Sequence, residues 1–81
     1  MTNLELFEKI LKLVQLEISG MTYEYLYGNT LIISVDNKKI SYNVLYLSNY
    51  FNEKATQGYN EEELINDIAY KITQNIKEDN A

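Results

Sequence analysis

Cysteine, histidine, tryptophan and arginine are all missing from this chain of 81 residues. Without cysteine there is neither a disulfide framework nor a thiolate metal site. The lack of histidine removes the usual general base near neutral pH and the commonest metal ligand. Without arginine, bidentate phosphate clamps and guanidinium readout of guanine have no donor. Glycine is scarce, and Gly20, Gly28 and Gly58 stand isolated, so no glycine-rich phosphate loop can form. No apolar run approaches the roughly 20 residues of a membrane span, and Met1-Thr2-Asn3-Leu4-Glu5 lacks the basic and apolar regions of a signal peptide. The expectation is a soluble protein of a reducing bacterial cytoplasm that binds neither membrane nor nucleic acid directly.

What the chain does contain is acid and tyrosine. Twelve acids against seven lysines give a net charge of −5, which opposes nonspecific binding to DNA, RNA or anionic lipid. A hydrophobic fraction of 46% suffices for one small core, and eight tyrosines add area while keeping a polar tip. The expected organisation is a single domain over residues 1–81, stabilised by packing alone.

Periodicity divides the chain into elements. Thr2-x-x-Glu5 fits a capping box, and Leu4, Phe7, Ile10, Leu11, Val14 and Ile18 then recur at helical spacing. Leu16 falls among Glu5, Glu8, Lys9 and Lys12 on the opposite face, so the helix should end near Gln15 to Ile18, before Ser19-Gly20. From Met21 the period becomes 2. Tyr23, Tyr25 and Tyr27 alternate with Thr22, Glu24 and Leu26, and Gly28-Asn29 turns the chain. Leu31, Ile33 and Val35 form a second strand, Asp36-Asn37-Lys38-Lys39 a hairpin connection, and Ile40, Tyr42, Val44 and Tyr46 a third strand. A short helical turn is expected at 48–54 and a loop at Ala55-Thr56-Gln57-Gly58. Asn60 is a good N-cap for a last helix striped by Leu64, Ile65, Ile68, Ile72 and Ile76, with Glu78 to Ala81 fraying at its end. The fold class is therefore α+β, a three-stranded antiparallel meander packed against N- and C-terminal helices, with an α-β-β-β-α order.

Catalysis finds little support in these residues. Glu61, Glu62 and Glu63 are consecutive and fan out by about 100° each on a helix, so they do not converge. Glu63 and Asp67 share a face at i, i+4, but two carboxylates without a ligand loop make a poor cation site. The chain is expected not to be an enzyme and to need no cofactor or metal. A hydrolase or metal-dependent activity rests only on the presence of serines and carboxylates.

Two readings of the acidic cluster stand side by side. Acids in the first turn of a helix are favoured by its dipole whatever the protein does. Carboxylates spaced over a compact domain can also imitate nucleic acid and occupy a basic groove, with Asp36, Glu61, Glu62, Glu63 and Asp67 supplying the charge and Tyr59 an aromatic anchor. Tyr23, Tyr25 and Tyr27 likewise fit either an exposed recognition strip or the half-buried edge of a sheet. An exposed strip would suit a structural or homo-oligomeric adaptor.

The element order resembles that of the double-stranded RNA-binding domain, whose last helix begins with lysines that touch phosphates. Here Asn60-Glu61-Glu62-Glu63 occupies that place and would repel them, so the shared order speaks to topology and not to function. The segments Leu31-Ile32-Ile33-Ser34-Val35-Asp36-Asn37 and Gly58-Tyr59-Asn60-Glu61-Glu62-Glu63-Leu64-Ile65-Asn66-Asp67 resemble the small acidic α-β-β-β-α anti-CRISPR proteins of Gram-positive phages and prophages. That resemblance implies a protein partner of the Cas9 type and blockade, by DNA mimicry, of its site for the protospacer-adjacent motif. It maps the family's acidic hairpin to Asp36 and Asn37, and its acidic helix start to Tyr59, Glu61, Glu62, Glu63 and Asp67. Lys38 and Lys39 depart from it, standing where further acids are expected.

Overall fold

Thr2 begins the fold as the resemblance to a capping box predicts. Its Oγ1 accepts from the backbone N–H of Glu5 at 3.2 Å and donates to Glu5 Oε1 at 3.1 Å. The structure, a computed structural model, describes residues 2–26 and 29–79. Helix α1 spans Asn3–Glu17 and buries Leu6, Phe7, Ile10, Leu11 and Val14. Leu4, expected in the stripe, is exposed, and Leu16 is exposed as its place among the charged positions implies. The Ile18 N–H bonds to the Val14 carbonyl, and Gly20, at φ 78°, reverses the chain.

Strands β1 (Thr22–Leu26), β2 (Thr30–Val35) and β3 (Lys38–Asn43) form an antiparallel sheet in the order β1-β2-β3. Leu31 pairs with Tyr25 and Tyr42, and Ile33 with Tyr23 and Ile40, so these side chains share the face that carries the core. Leu31, Ile33 and Val35 are buried there, whereas Glu24, Ile32 and Ser41 form a row across the opposite face. Tyr25 is half-buried and meets the edge of the more exposed Tyr23 ring at 6.0 Å. Tyr27 and Gly28 lie outside the described residues.

Two local departures from expectation have clear causes. Asp36 and Asn37 alone make the β2–β3 turn, at φ 50° and 68°, the pair of positive φ values of a type I′ hairpin. Lys38 and Lys39 therefore belong to β3 and are not part of the connection. The third strand also stops earlier than alternation suggests. Asn43 Oδ1 accepts from the Tyr46 N–H at 2.9 Å and caps helix α2, which spans Val44–Thr56. Val44 and Tyr46 are thus helical, and the short turn expected at 48–54 is a helix of 13 residues. Its pitch turns Tyr46 outward, leaving it 70% exposed, while Val44, Ser48 and Phe51 face inward. Ala55 and Thr56 are the last residues of this helix and not a loop.

Helix α3 runs Glu61–Asp79, so Glu78 and Asp79 continue it, while Asn80 and Ala81 lie outside the described residues. Its buried residues Leu64, Ile65, Ile68, Ala69, Ile72 and Ile76 join those of α1, β2 and α2 in one continuous core. Full burial stabilises each Leu, Ile or Phe by about 1.5–3 kcal/mol, before the entropic cost of ordering the chain. The architecture is a small α+β domain of α-β-β-β-α-α order, with α3 packed against both α1 and α2. No helix among the described residues is long and apolar enough to cross a membrane.

Candidate protein-binding surface

The connection between α2 and α3 is built by backbone closure. The Tyr59 N–H bonds to the Lys54 carbonyl at 3.2 Å and the Gly58 N–H to the Ala55 carbonyl at 3.1 Å, the paired bonds of a Schellman motif. Gly58 sits at φ 95°, where a side chain would be strained. This closure brings Tyr59 back over Lys54. Asn60 then caps α3, its Oδ1 accepting from the Glu63 N–H at 3.1 Å.

Glu61, Glu62 and Glu63 are all exposed in the first turn of α3, where the helix dipole favours them. They diverge, as a 100° step requires. Glu61 and Glu62 border a groove shared with Lys9, Lys12 and Leu13 of α1. Glu63 and Asp67 lie on the other side, lining a cleft with Tyr50, Lys54, Tyr59, Asn60 and Leu64. None of the three glutamates is within ion-pair distance of a lysine among the described residues. Asp67 does pair with Lys71 at 3.1 Å. That hydrogen bond, then the Asp67 charge and Tyr50, raise the Lys71 pKa above its ordinary value.

The structure therefore unites Tyr59, Glu63 and Asp67, and places Glu61 and Glu62 around the helix from them. Asp36 and Asn37 occupy the tip of the β2–β3 hairpin and border neither the groove nor the cleft. Their positive φ values give them a turn-forming role that any partner contact would be added to.

Two residues of the cleft escape a reading by sequence pattern. Tyr50 and Lys54 become neighbours of Glu63 only because the α2–α3 connection folds back; Gly58, at helix C′ spacing, is the signal that points to it. Lys54 Nζ lies 5.3 Å from the Tyr59 ring centroid and 5.9 Å from that of Tyr50, and Lys71 Nζ approaches Tyr50 at 5.5 Å. A second hollow, between α2 and α3, is walled by Tyr42, Tyr46, Leu47, Tyr50, Ile68 and Ile72. Asn75 Nδ2 donates to Tyr42 Oη at its rim at 3.1 Å, tying β3 to α3.

Among the described residues no three acids gather as a metal site would require. No family model, curated protein or solved structure matches the chain.

Proposed function

We propose that this chain is a non-enzymatic inhibitor that binds a nucleic-acid-handling protein and occludes its basic groove, with the start of α3 as the principal contact. The observation that supports this reading is the exposure of Glu61, Glu62 and Glu63 without a lysine in ion-pair range among the described residues, in a chain of net charge −5. Three exposed carboxylates on the first turn of a helix, none in direct ion-pair contact with a lysine among the described residues, offer a partner's lysines and arginines a substitute for phosphates, and long-range attraction speeds capture. Tyr59, 55% exposed beside Glu63, supplies apolar area. The resemblance to acidic anti-CRISPR proteins names a Cas9-type effector as the partner and a bacterial cytoplasm as the place. Asp36 and Asn37 form a separate contact at the hairpin tip.

Competition with DNA tests the proposal. Guide-loaded Cas9 is incubated with the protein and then offered DNA bearing the protospacer-adjacent motif. Inhibition should disappear in the Glu61→Lys, Glu62→Lys double variant and weaken steeply as salt rises. Inhibition by the double variant equal to that of the unaltered chain would refute groove occlusion.

One observation favours a second reading. Strand β1 pairs on only one side, and Tyr23 and Leu26 are 37% and 38% exposed along it. A free edge of this kind is a template for pairing with another chain, including a second copy in a homo-oligomeric adaptor. Light scattering separates the two: an adaptor shows a mass that doubles with concentration and reverts to monomer in Tyr23→Lys.

A further inference from the structure

Lys54 is held in an unusual way for a surface lysine. Its ammonium lies between two tyrosine rings, 5.3 Å from Tyr59 and 5.9 Å from Tyr50, within the roughly 6 Å over which a ring face attracts a cation. The cleft around it has a volume of 290 Å³ and is also lined by Glu63 and Asp67. Yet Lys54 forms no ion pair with either carboxylate. Asp67 is engaged by Lys71, whose Nζ also lies 5.5 Å from the Tyr50 ring centroid, and Glu63 has no cation within ion-pair distance. Lys54 thus has the Tyr59 face to itself, shares the Tyr50 face with Lys71, and makes no direct contact with the Glu63 carboxylate.

We propose that the Tyr50–Tyr59 cleft is a receptor for an arginine side chain of the protein partner, for which Lys54 is an internal placeholder. A guanidinium group is planar, stacks on tyrosine and presents a fork of N–H donors that an ammonium lacks, so it can use the rings and the Glu63 carboxylate together. Lys54 is a suitable placeholder because its flexible stem lets the ammonium swing out to water when the cleft fills. The Schellman closure at Gly58 holds the Tyr59 backbone against the end of α2, which sets the ring's point of attachment beside Lys54. This proposal rests on the protein-partner reading above and specifies the chemistry that the cleft would recognise.

A peptide titration tests it without any nucleic-acid-handling protein. The probe is acetyl-Gly-Arg-Gly-amide, followed by nuclear magnetic resonance of the Tyr50 and Tyr59 ring protons, with the citrulline and lysine peptides as comparisons. Removing the Lys54 ammonium from the Tyr59 face with Lys54→Gln should tighten arginine-peptide binding about five-fold, the scale of one exposed cation–π contact. Lys54→Met, which keeps the stem and its packing, should do the same. Lys39→Gln removes an equal charge from β3 and should leave binding unchanged. The citrulline peptide should not bind, the lysine peptide should bind more weakly, and Tyr59→Ala in the Lys54→Gln background should lose the site. Equal affinity in Lys54→Gln and Lys39→Gln, or shifts that spare both tyrosines, would overturn the placeholder assignment. Because groove occlusion is tested with Glu61→Lys and Glu62→Lys against Cas9 and DNA, either proposal can fail while the other stands.

Discussion

Asn43 Oδ1 accepts a 2.9 Å hydrogen bond from the Tyr46 backbone N–H, and that contact marks where the sheet ends and the second helix begins. Asn43→Ala removes the cap and should cost about 1 kcal/mol, whereas Asn43→Asp should retain most of the stability. Urea unfolding followed by circular dichroism distinguishes them; an alanine variant as stable as the original would show that packing of Phe51 alone defines the helix start.

At the hairpin tip, Asn37 holds φ 68° and Asp36 φ 50°. Glycine at the second position of a type I′ turn removes the steric penalty, so Asn37→Gly should raise stability by about 0.5 kcal/mol. Asn37→Val should lower it by about 1–2 kcal/mol, the cost of forcing a branched side chain into the left-handed region. Thermal melts of the pair should move in opposite directions.

Ser48 is 1% exposed and its hydroxyl has no hydrogen-bond partner. Ser48→Ala removes that buried, unsatisfied group from a helix interior, where alanine is also the better helix former. Stability should rise by about 1 kcal/mol in urea unfolding, and a loss would mean that the hydroxyl has a partner after all.

Burial of the Tyr25 phenol, reinforced by the neighbouring Tyr23 and Glu8, pushes its pKa above the ordinary 10.0. Below that ordinary value the phenol is protonated in both folded and unfolded chains, and its contribution to stability is complete. As pH rises towards the folded value, the unfolded chain releases its proton first, so stability falls across this alkaline window. Tyr25→Phe should flatten that decline in unfolding measured from about pH 9 to 12, and remove one phenol from the alkaline part of the tyrosinate absorbance titration. Near neutral pH it should be neutral or stabilising by up to about 1 kcal/mol, because the Tyr25 hydroxyl is also buried without a partner.

Local signals made the two outer helices and the meander legible. Thr2 with Glu5, and Asn60 with Glu63, announce α1 and α3, and the period of 2 through Leu31, Ile33 and Val35 announces the central strand. The short helical turn expected at 48–54 marks the middle of α2, but the start of that helix is hidden because Val44 and Tyr46 continue the alternation of Ile40 and Tyr42, and a β-branched residue beside tyrosines favours strand. The deciding residue, Asn43, acts through three atoms of capping geometry that periodicity does not record.

For the candidate surface, the divergence of Glu61, Glu62 and Glu63 follows from helical pitch and could be read directly. Their allocation to two different neighbours could not. It depends on Lys9 and Lys12 arriving from α1 on one side and Lys54 from α2 on the other, which only the packed helices determine.

The pairing of α1 with α3 has a consequence during synthesis. Leu13 and Leu16 border a groove completed by Ala69, Tyr70 and Thr73. A ribosome exposes the first helix while the residues that will cover this flank are still being translated. The meander can assemble from neighbours in the chain, but the flank of α1 must wait until α3 has been made. A chain interrupted between β3 and α3 would therefore present the apolar stripe of α1 to nascent-chain chaperones.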